Sequence, residues 1–512
     1  MAAFGANLLA LLQLSAYLAW PLITVILASL LAISYALYNL FFHPLRPVPG
    51  PKLWAATQIP YTLTWLSGRL HIIVHELHEK HGDVVRIAPN RLSFTHPDAW
   101  QRIRGHRKSG QGEHGKDSTF YFTNKNNILG ASRDDHSRYR RILAHAFSAK
   151  SMQDQQPLIM QYVDLLMQQL SERTEDENGR PREAVVNLAA WFNFATFDVI
   201  GDLAFGEPFG CLQESRYHPW VEAIFHGVEQ FGVMIALRMY SPGLVGIAKR
   251  LGFIGSTELQ VAYARERITR RLALETGRPD FVEAMAMVKP GNGQALTMEE
   301  MASNARMLVL AGSETTATAL SGAAYFLARH PETQRRLEAE VRSSFASEEE
   351  IDLFSVNKLR YMLAVLDEAM RMFPPVPTQL PRACQPGGDV ICGYQVPGGT
   401  GLDIFPWAMN YSSRNFTQPN EFIPERWLDG DDYSGQQLNK QRHNALQPFS
   451  VGPRNCIGKN LAYVEMRLIL ARLIWNYNLV LGDQASESFL ACKSFNLWMK
   501  GPLNIRLIPV KE

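Results

Sequence analysis

Apolar and polar positions divide the chain into an uninterrupted apolar opening and a long periodic remainder. No charged side chain occurs before Arg46. Residues 22–42 (LITVILASLLAISYALYNLFF) are apolar over a length that can cross a bilayer as a helix. Residues 8–20 are also apolar, and Pro21 marks either a helix start or a kink. A cleaved signal peptide fits poorly, because the positive n-region is missing and the apolar length is excessive. A buried core helix is the other alternative. The first cations, Arg46 and Lys52, follow the span, so the positive-inside tendency puts the bulk of the chain in the cytosol. Prolines at 44, 47, 49 and 51 lock φ and resist helix continuation, which makes a stiff connector. The expected organisation is a membrane anchor over 1–42, a proline-rich hinge over 43–53, and one large domain over 54–512.

Beyond the hinge, the strongest periodic segments are helical. Thr297-x-x-Glu300 is a capping box that opens a helix running to about Arg329, before His330-Pro331. Inside it lies Ala311-Gly312-Ser313-Glu314-Thr315-Thr316. A mid-helix glycine costs about 1 kcal/mol against alanine, so Gly312 asks for a reason. Threonine hydroxyls can capture helix carbonyls and open the hydrogen-bond ladder, leaving a groove lined by a hydroxyl and a carboxylate. A second helix is expected over 358–372, with Leu363, Val365, Leu366 and Met370 apolar. A third follows Cys456, with Leu461, Val464, Leu468 and Ala471 in register. Strand signals are short; Val390 through Val396, ending at Pro397-Gly398, is the clearest.

The chemistry concentrates at Phe449-Ser450-Val451-Gly452-Pro453-Arg454-Asn455-Cys456-Ile457-Gly458. A thiolate just before a helix faces unpaired N–H groups, which should lower its pKa. Gly452 and Gly458 remove side chains where a flat ligand would approach the backbone. Phe449 can shield the sulfur, and Arg454 can reach a carboxylate at the ligand's edge. A lone thiolate cannot build a zinc or iron–sulfur site, but it can be the single axial ligand of a haem. The 51 basic and 49 acidic residues give no basic field, so nucleic acid is not an expected partner. Five scattered cysteines suit a reducing compartment rather than a disulfide framework. Neither Gly-x-Gly-x-x-Gly nor the Walker pattern occurs, so electrons for redox chemistry must come from another protein.

The decapeptide resembles the haem-binding loop of the cytochrome P450 family, Phe-x-x-Gly-x-Arg-x-Cys-x-Gly, at all five fixed positions. The segment from Ala311 to Thr316 resembles that family's central-helix motif. Glu368-x-x-Arg371, with Pro424-Glu425-Arg426-Trp427 (Trp for the family's Phe), resembles its buried charge network. The resemblance covers nearly everything after residue 50, and the proline-rich wording is similar to fungal members. It implies a mainly α fold with a smaller β portion, and haem b ligated by Cys456. It also implies roles for Thr315 and Glu314 in oxygen activation and proton delivery. His136 stands where the family usually has Trp; with Arg140, Arg382, Phe449 and Arg454 it would hold the cofactor, the cations meeting the propionates. Arg138 and Arg141 are either a solvated face or, with Lys459 and Arg467, a docking surface for an acidic reductase.

By family position, residues 120–127, 225–237, 306–311, 376–380 and 495–499 should line an apolar substrate pocket. The implied function is a haem-thiolate monooxygenase of the endoplasmic reticulum membrane. It would act on a lipophilic secondary-metabolite intermediate, with electrons from NADPH through cytochrome P450 reductase and a possible part for cytochrome b5. Two alternatives remain: an isomerase or dehydratase that needs no external electrons, and a non-catalytic membrane carrier of haem or sterol.

Overall fold

The computed structural model describes residues 2–107, 112–122, 125–255, 258–274, 277–287, 295–378, 380–428 and 442–510. It is mainly helical, with small antiparallel and mixed sheets to one side. The first helix, Ala2–Phe41, continues through Pro21 rather than starting there. Its Trp20–Phe41 portion has a mean hydropathy of 2.0 and is largely exposed, with Asn39 near its end buried. Helix Leu188–Phe205 also has the length and hydropathy of a membrane span, yet 94% of it is buried. Its polar residues are satisfied inside the protein. Asp198 accepts the Cys211 and Leu212 backbone N–H groups at 3.0 and 2.8 Å, and Asp202 accepts the Tyr162 hydroxyl at 2.7 Å. Such pairing is the condition for burying carboxylates.

Against this helix lies the central helix, Met298–Arg329, with the bounds its sequence signals give. Thr297 and Glu300 form the reciprocal capping box. Gly312 has its reason in packing: a Cβ there would sit 2.8 Å from Ile200 Cδ1. Ser313, Thr315 and Thr316 donate back to the carbonyls of Val309, Ala311 and Gly312 at 2.6, 2.7 and 3.0 Å. The hydroxyls therefore capture carbonyls as expected, but the helix stays unbroken.

The five-stranded sheet decides which charges meet. Val84–Ala88 pairs with Arg91–Phe94, which runs parallel to Gly401–Asp403; Arg382–Ala383 and Gly115–Lys116 complete it. In the last pair Lys116 lies directly opposite Arg382. The expected strand over 390–396 is instead a hairpin of Asp389–Ile391 and Tyr394–Val396. Cys392 and Gly393 both take positive φ, 48° and 87°, the two-residue turn that the apolar run conceals. The proline-rich stretch packs on the domain through buried Leu45 and Val48, among Leu92 and Phe94.

Behind the cysteine loop, Glu368 on helix Arg360–Met372 is fully buried with Arg371 and Arg426. It accepts from Arg371 at 2.8 and 2.9 Å, Arg426 at 3.0 Å, the Ile423 backbone at 3.0 Å and Trp427 Nε1 at 2.9 Å. The departure at Trp427 thus adds a donor that phenylalanine would lack. Arg371 spends its other N–H groups on the carbonyls of Asn410, Pro419 and Glu421. Asn410 and Asn415, the two glycosylation sequons, are buried and hydrogen-bonded within the fold.

Candidate functional site

The cysteine loop closes on itself through the Cys456 N–H, which donates to the Phe449 carbonyl at 2.9 Å. Gly452 has φ 78°, and a Cβ there would overlap the Arg104 carbonyl, so no other residue fits. The following helix, Lys459–Asn476, begins only after Gly458, which leaves Cys456 outside its first turn. This changes the acid–base expectation. Cys456 has accessible surface, but burial pushes its thiol up, against the Gly458 backbone and the charges of Arg140 and Lys459 that pull it down. Its open side therefore faces an interior space rather than bulk water. A metal ion, not the helix terminus, would make it a thiolate.

A second accessible surface lies on the central helix. Met307, Leu310, Ala311 and Thr315 are exposed or half-buried, while Leu308, Val309, Ser313, Glu314 and Thr316 are buried. The spacing is that of one helix face. Beyond Thr315 the helix is buried through Leu327, so this open face ends at the threonine.

At the edge of the site the sheet and loops collect cations. His136, Arg382 and Arg104 are largely buried, with Lys116 and Arg454 beside them. Arg454 pairs with Glu113 at 3.0 Å. Arg140 turns to the loop, donating to the Asn455 carbonyl at 2.7 Å. Arg104 bonds the Ser450 hydroxyl and the Leu380 carbonyl at 3.3 and 2.9 Å. Buried Nη1 of Arg382 and Nε of Arg104 have no partner. Burial and then its cationic neighbours, Arg454 and Arg382, push the Lys116 ammonium down to about 7. Burial and then Arg454, Lys116, Arg140 and Arg382 push His136 down to about 3. His136 is therefore a neutral N–H donor, which is also what an indole offers; this accounts for histidine in the tryptophan position.

Like charges opposite one another across a sheet are destabilising, and buried donors without acceptors are costly. An anion bound here would supply acceptors that these nitrogens lack among the described residues. A flat metal-centred ligand with carboxylates at one edge, lying against Gly452 and Cys456, meets each requirement.

Comparison with known proteins gives the same answer. A model of the cytochrome P450 family matches residues 44–506. The chain belongs to the cytochrome P450 family. Among curated relatives, it is 44% identical to the trichothecene C-15 hydroxylase of Fusarium sporotrichioides, over 96% of this chain and 99% of that one. It is 43% identical to the cytochrome P450 monooxygenase astJ of Aspergillus oryzae, over 92% and 93%. The averantin hydroxylase of Dothistroma septosporum is 39% identical, over 97% and 90%. These relatives establish a P450 monooxygenase similar to fungal enzymes of secondary metabolism, with a cysteine-ligated haem and an electron donor.

Within this P450, the structure brings Phe449, Arg454, Cys456 and Arg140 into one loop neighbourhood, with His136 and Arg382 at its cationic edge. Phe449 packs on Tyr463, ring centres 5.0 Å apart, on the outer side of the loop. Lys116, Arg104 and Glu113 escaped the sequence reading, since only strand pairing and loop closure join them to Arg382 and Arg454. Glu465 escaped it too. Burial raises its carboxyl well above the ordinary range, against the pull of Thr316, through which it ties the cysteine helix to the central one. Among the proposed docking cations, Arg138 is committed to Glu300, the Ala295 carbonyl and Asp135. The expected pocket regions converge. Phe120 and Phe122 meet Phe231 at 5.5 and 6.2 Å, Gly232 abuts Phe495, and Thr378 donates to Asn496 at 2.7 Å.

Proposed function

We propose that this P450 is a membrane-anchored monooxygenase that inserts one oxygen atom into a lipophilic secondary-metabolite intermediate. NADPH would supply the electrons through cytochrome P450 reductase. The observation that carries this reading is the pairing of the Cys456 loop with an open helix face ending at Thr315. Haem b bound there would supply the oxygen-activating chemistry, with Cys456 as its thiolate donor.

The chain's own residues do the rest. Cys456 would be the haem ligand, while Arg382, Arg454, Lys116 and Arg104, with neutral His136, would meet the haem carboxylates. Arg140 holds the loop in shape through Asn455. Thr315 presents its hydroxyl at the open end of the helix, and Glu314 would relay protons from behind it. Phe120, Phe122 and Phe231 exclude water from an apolar guest.

Membrane association has support beyond the first helix. Leu63, Tyr240, Ile247, Leu251 and Phe253 are exposed. Gln58 and Thr62 contact Met239 at 3.5 and 3.4 Å, and Asn39 at the end of the anchor binds the Ala56 carbonyl. One apolar face therefore continues from the anchor onto the domain. We place it on the cytosolic side of the endoplasmic reticulum.

The test is the absorption spectrum of the reduced protein with carbon monoxide. The wild type should show a thiolate-type red-shifted Soret band that Cys456→Ser abolishes. An imidazole-type band in both proteins would overturn the assignment.

A further inference from the structure

Glu314 neighbours Thr315 in sequence but does not share its open face. Its carboxylate turns into the protein, where Oε1 lies 2.7 Å from Lys500 Nζ, the two side chains 3% and 5% exposed. Lys500 follows the strand Leu497–Met499 of the C-terminal hairpin. It also donates to Thr318 Oγ1 at 2.8 Å, and that hydroxyl is 3.4 Å from Glu314 Oε1. Two residues from distant parts of the chain thus fix one carboxylate oxygen.

The other oxygen, Oε2, is buried and has no partner. A second acceptor in the same condition is Asn193 Oδ1, on helix Leu188–Phe205. Tyr217 interacts with both residues. Asn193 Nδ2 donates to its hydroxyl at 3.1 Å, and burial, with the charge of Glu314 adding to it, pushes that phenol up to about 12. Tyr217 is only half-buried, whereas Asn193 and Glu314 are 3% and 2% exposed. A buried acceptor left dry costs about 1–3 kcal/mol, and two of them beside a phenol form a polar seat where ordered water bridges two to four groups.

We propose that Lys500 is the positioning residue that sets Glu314, and that protons reach Glu314 Oε2 along a water-bridged path past Tyr217 and Asn193. This rests on the oxygen-activating role assigned above to Glu314 and Thr315. The proton leaves water at Tyr217, resides on Oε2, and passes to the Thr315 side; Lys500 keeps Oε1 anchored while Oε2 loads and unloads. No electron or heavy atom moves in this relay.

The test uses the full-length haem-loaded enzyme and needs no substrate. Infrared difference spectra should show no protonated-carboxyl band from Glu314 in the wild type. Lys500→Met should produce one that disappears in Lys500→Met/Glu314→Gln, and Lys500→Arg should not produce it. The reduced carbon monoxide spectrum checks that each variant still holds haem. With reductase and NADPH, peroxide released per NADPH should rise about twofold or more in Tyr217→Phe, as in Glu314→Gln, a small part of the roughly 10²–10⁴ that positioned proton donors contribute. A Lys500→Met protein without a new carboxyl band overturns the tether. A Tyr217→Phe protein with wild-type peroxide yield, when Glu314→Gln is uncoupled, overturns the path. If Glu314→Gln itself leaves peroxide yield unchanged, the underlying role of Glu314 fails instead.

Discussion

Two buried groups of arginines flank the cysteine loop, and they are built on opposite principles. Around Glu368, each carboxylate oxygen has at least two donors, and Arg371 finds carbonyls for its other N–H groups. Around Arg382, among the described residues, Arg454 pairs with Glu113 and two guanidinium nitrogens have no acceptor. The first group is closed within the fold. The second is left open, as we propose, for a ligand's carboxylates. Arginine burial alone does not separate structure from function; the balance of donors and acceptors does.

The comparison breaks most visibly at Arg371. Arg371→Ala strands Glu368 and three carbonyls in the interior, so denaturant titration should show a loss of about 3–5 kcal/mol, with little haem-loaded protein recovered. Arg382→Met should behave in the reverse way. It removes one of two facing cations, so the haem-free protein should unfold at the same or higher denaturant concentration. Haem should nevertheless transfer to excess apomyoglobin several-fold faster, since an edge carboxylate has lost a charge-assisted partner.

The smallest effect sharpens the contrast through pH. Lys116, pushed down to about 7, binds fewer protons when folded than its ordinary value of 10.5 would give when unfolded. Its contribution to stability therefore rises with pH between about 7 and 10.5 in haem-free protein. Lys116→Met should flatten that part of the stability profile, read from unfolding midpoints. A variant with the wild-type slope would place Lys116 outside the cationic group.

Legibility followed the same division. Local signals carried far: the Thr297–Glu300 capping box, the end of the central helix at Arg329, the cysteine loop, and Glu368-x-x-Arg371. Each depends on residues a few positions apart. Lys116 could not be found this way, because its place opposite Arg382 is a strand register between segments more than 260 residues apart. The turn at Cys392 was hidden for another reason: an apolar residue occupies a left-handed position usually signalled by asparagine or glycine. Arg138, open to a surface reading, required the fold to bring up Glu300.

Helix Leu188–Phe205 carries a consequence for how the chain is made. A membrane-insertion apparatus meets two hydrophobic segments in turn, and only the first should enter lipid. The second is distinguished by Asp198 and Asp202, each costing about 2.5–3.5 kcal/mol near the centre of a bilayer-spanning helix. Those two aspartates, which in the finished protein hold the Cys211 turn, Tyr162 and Arg278, also mark the segment for water during synthesis. What keeps this segment out of lipid is therefore written in the enzyme's core, well away from the first helix.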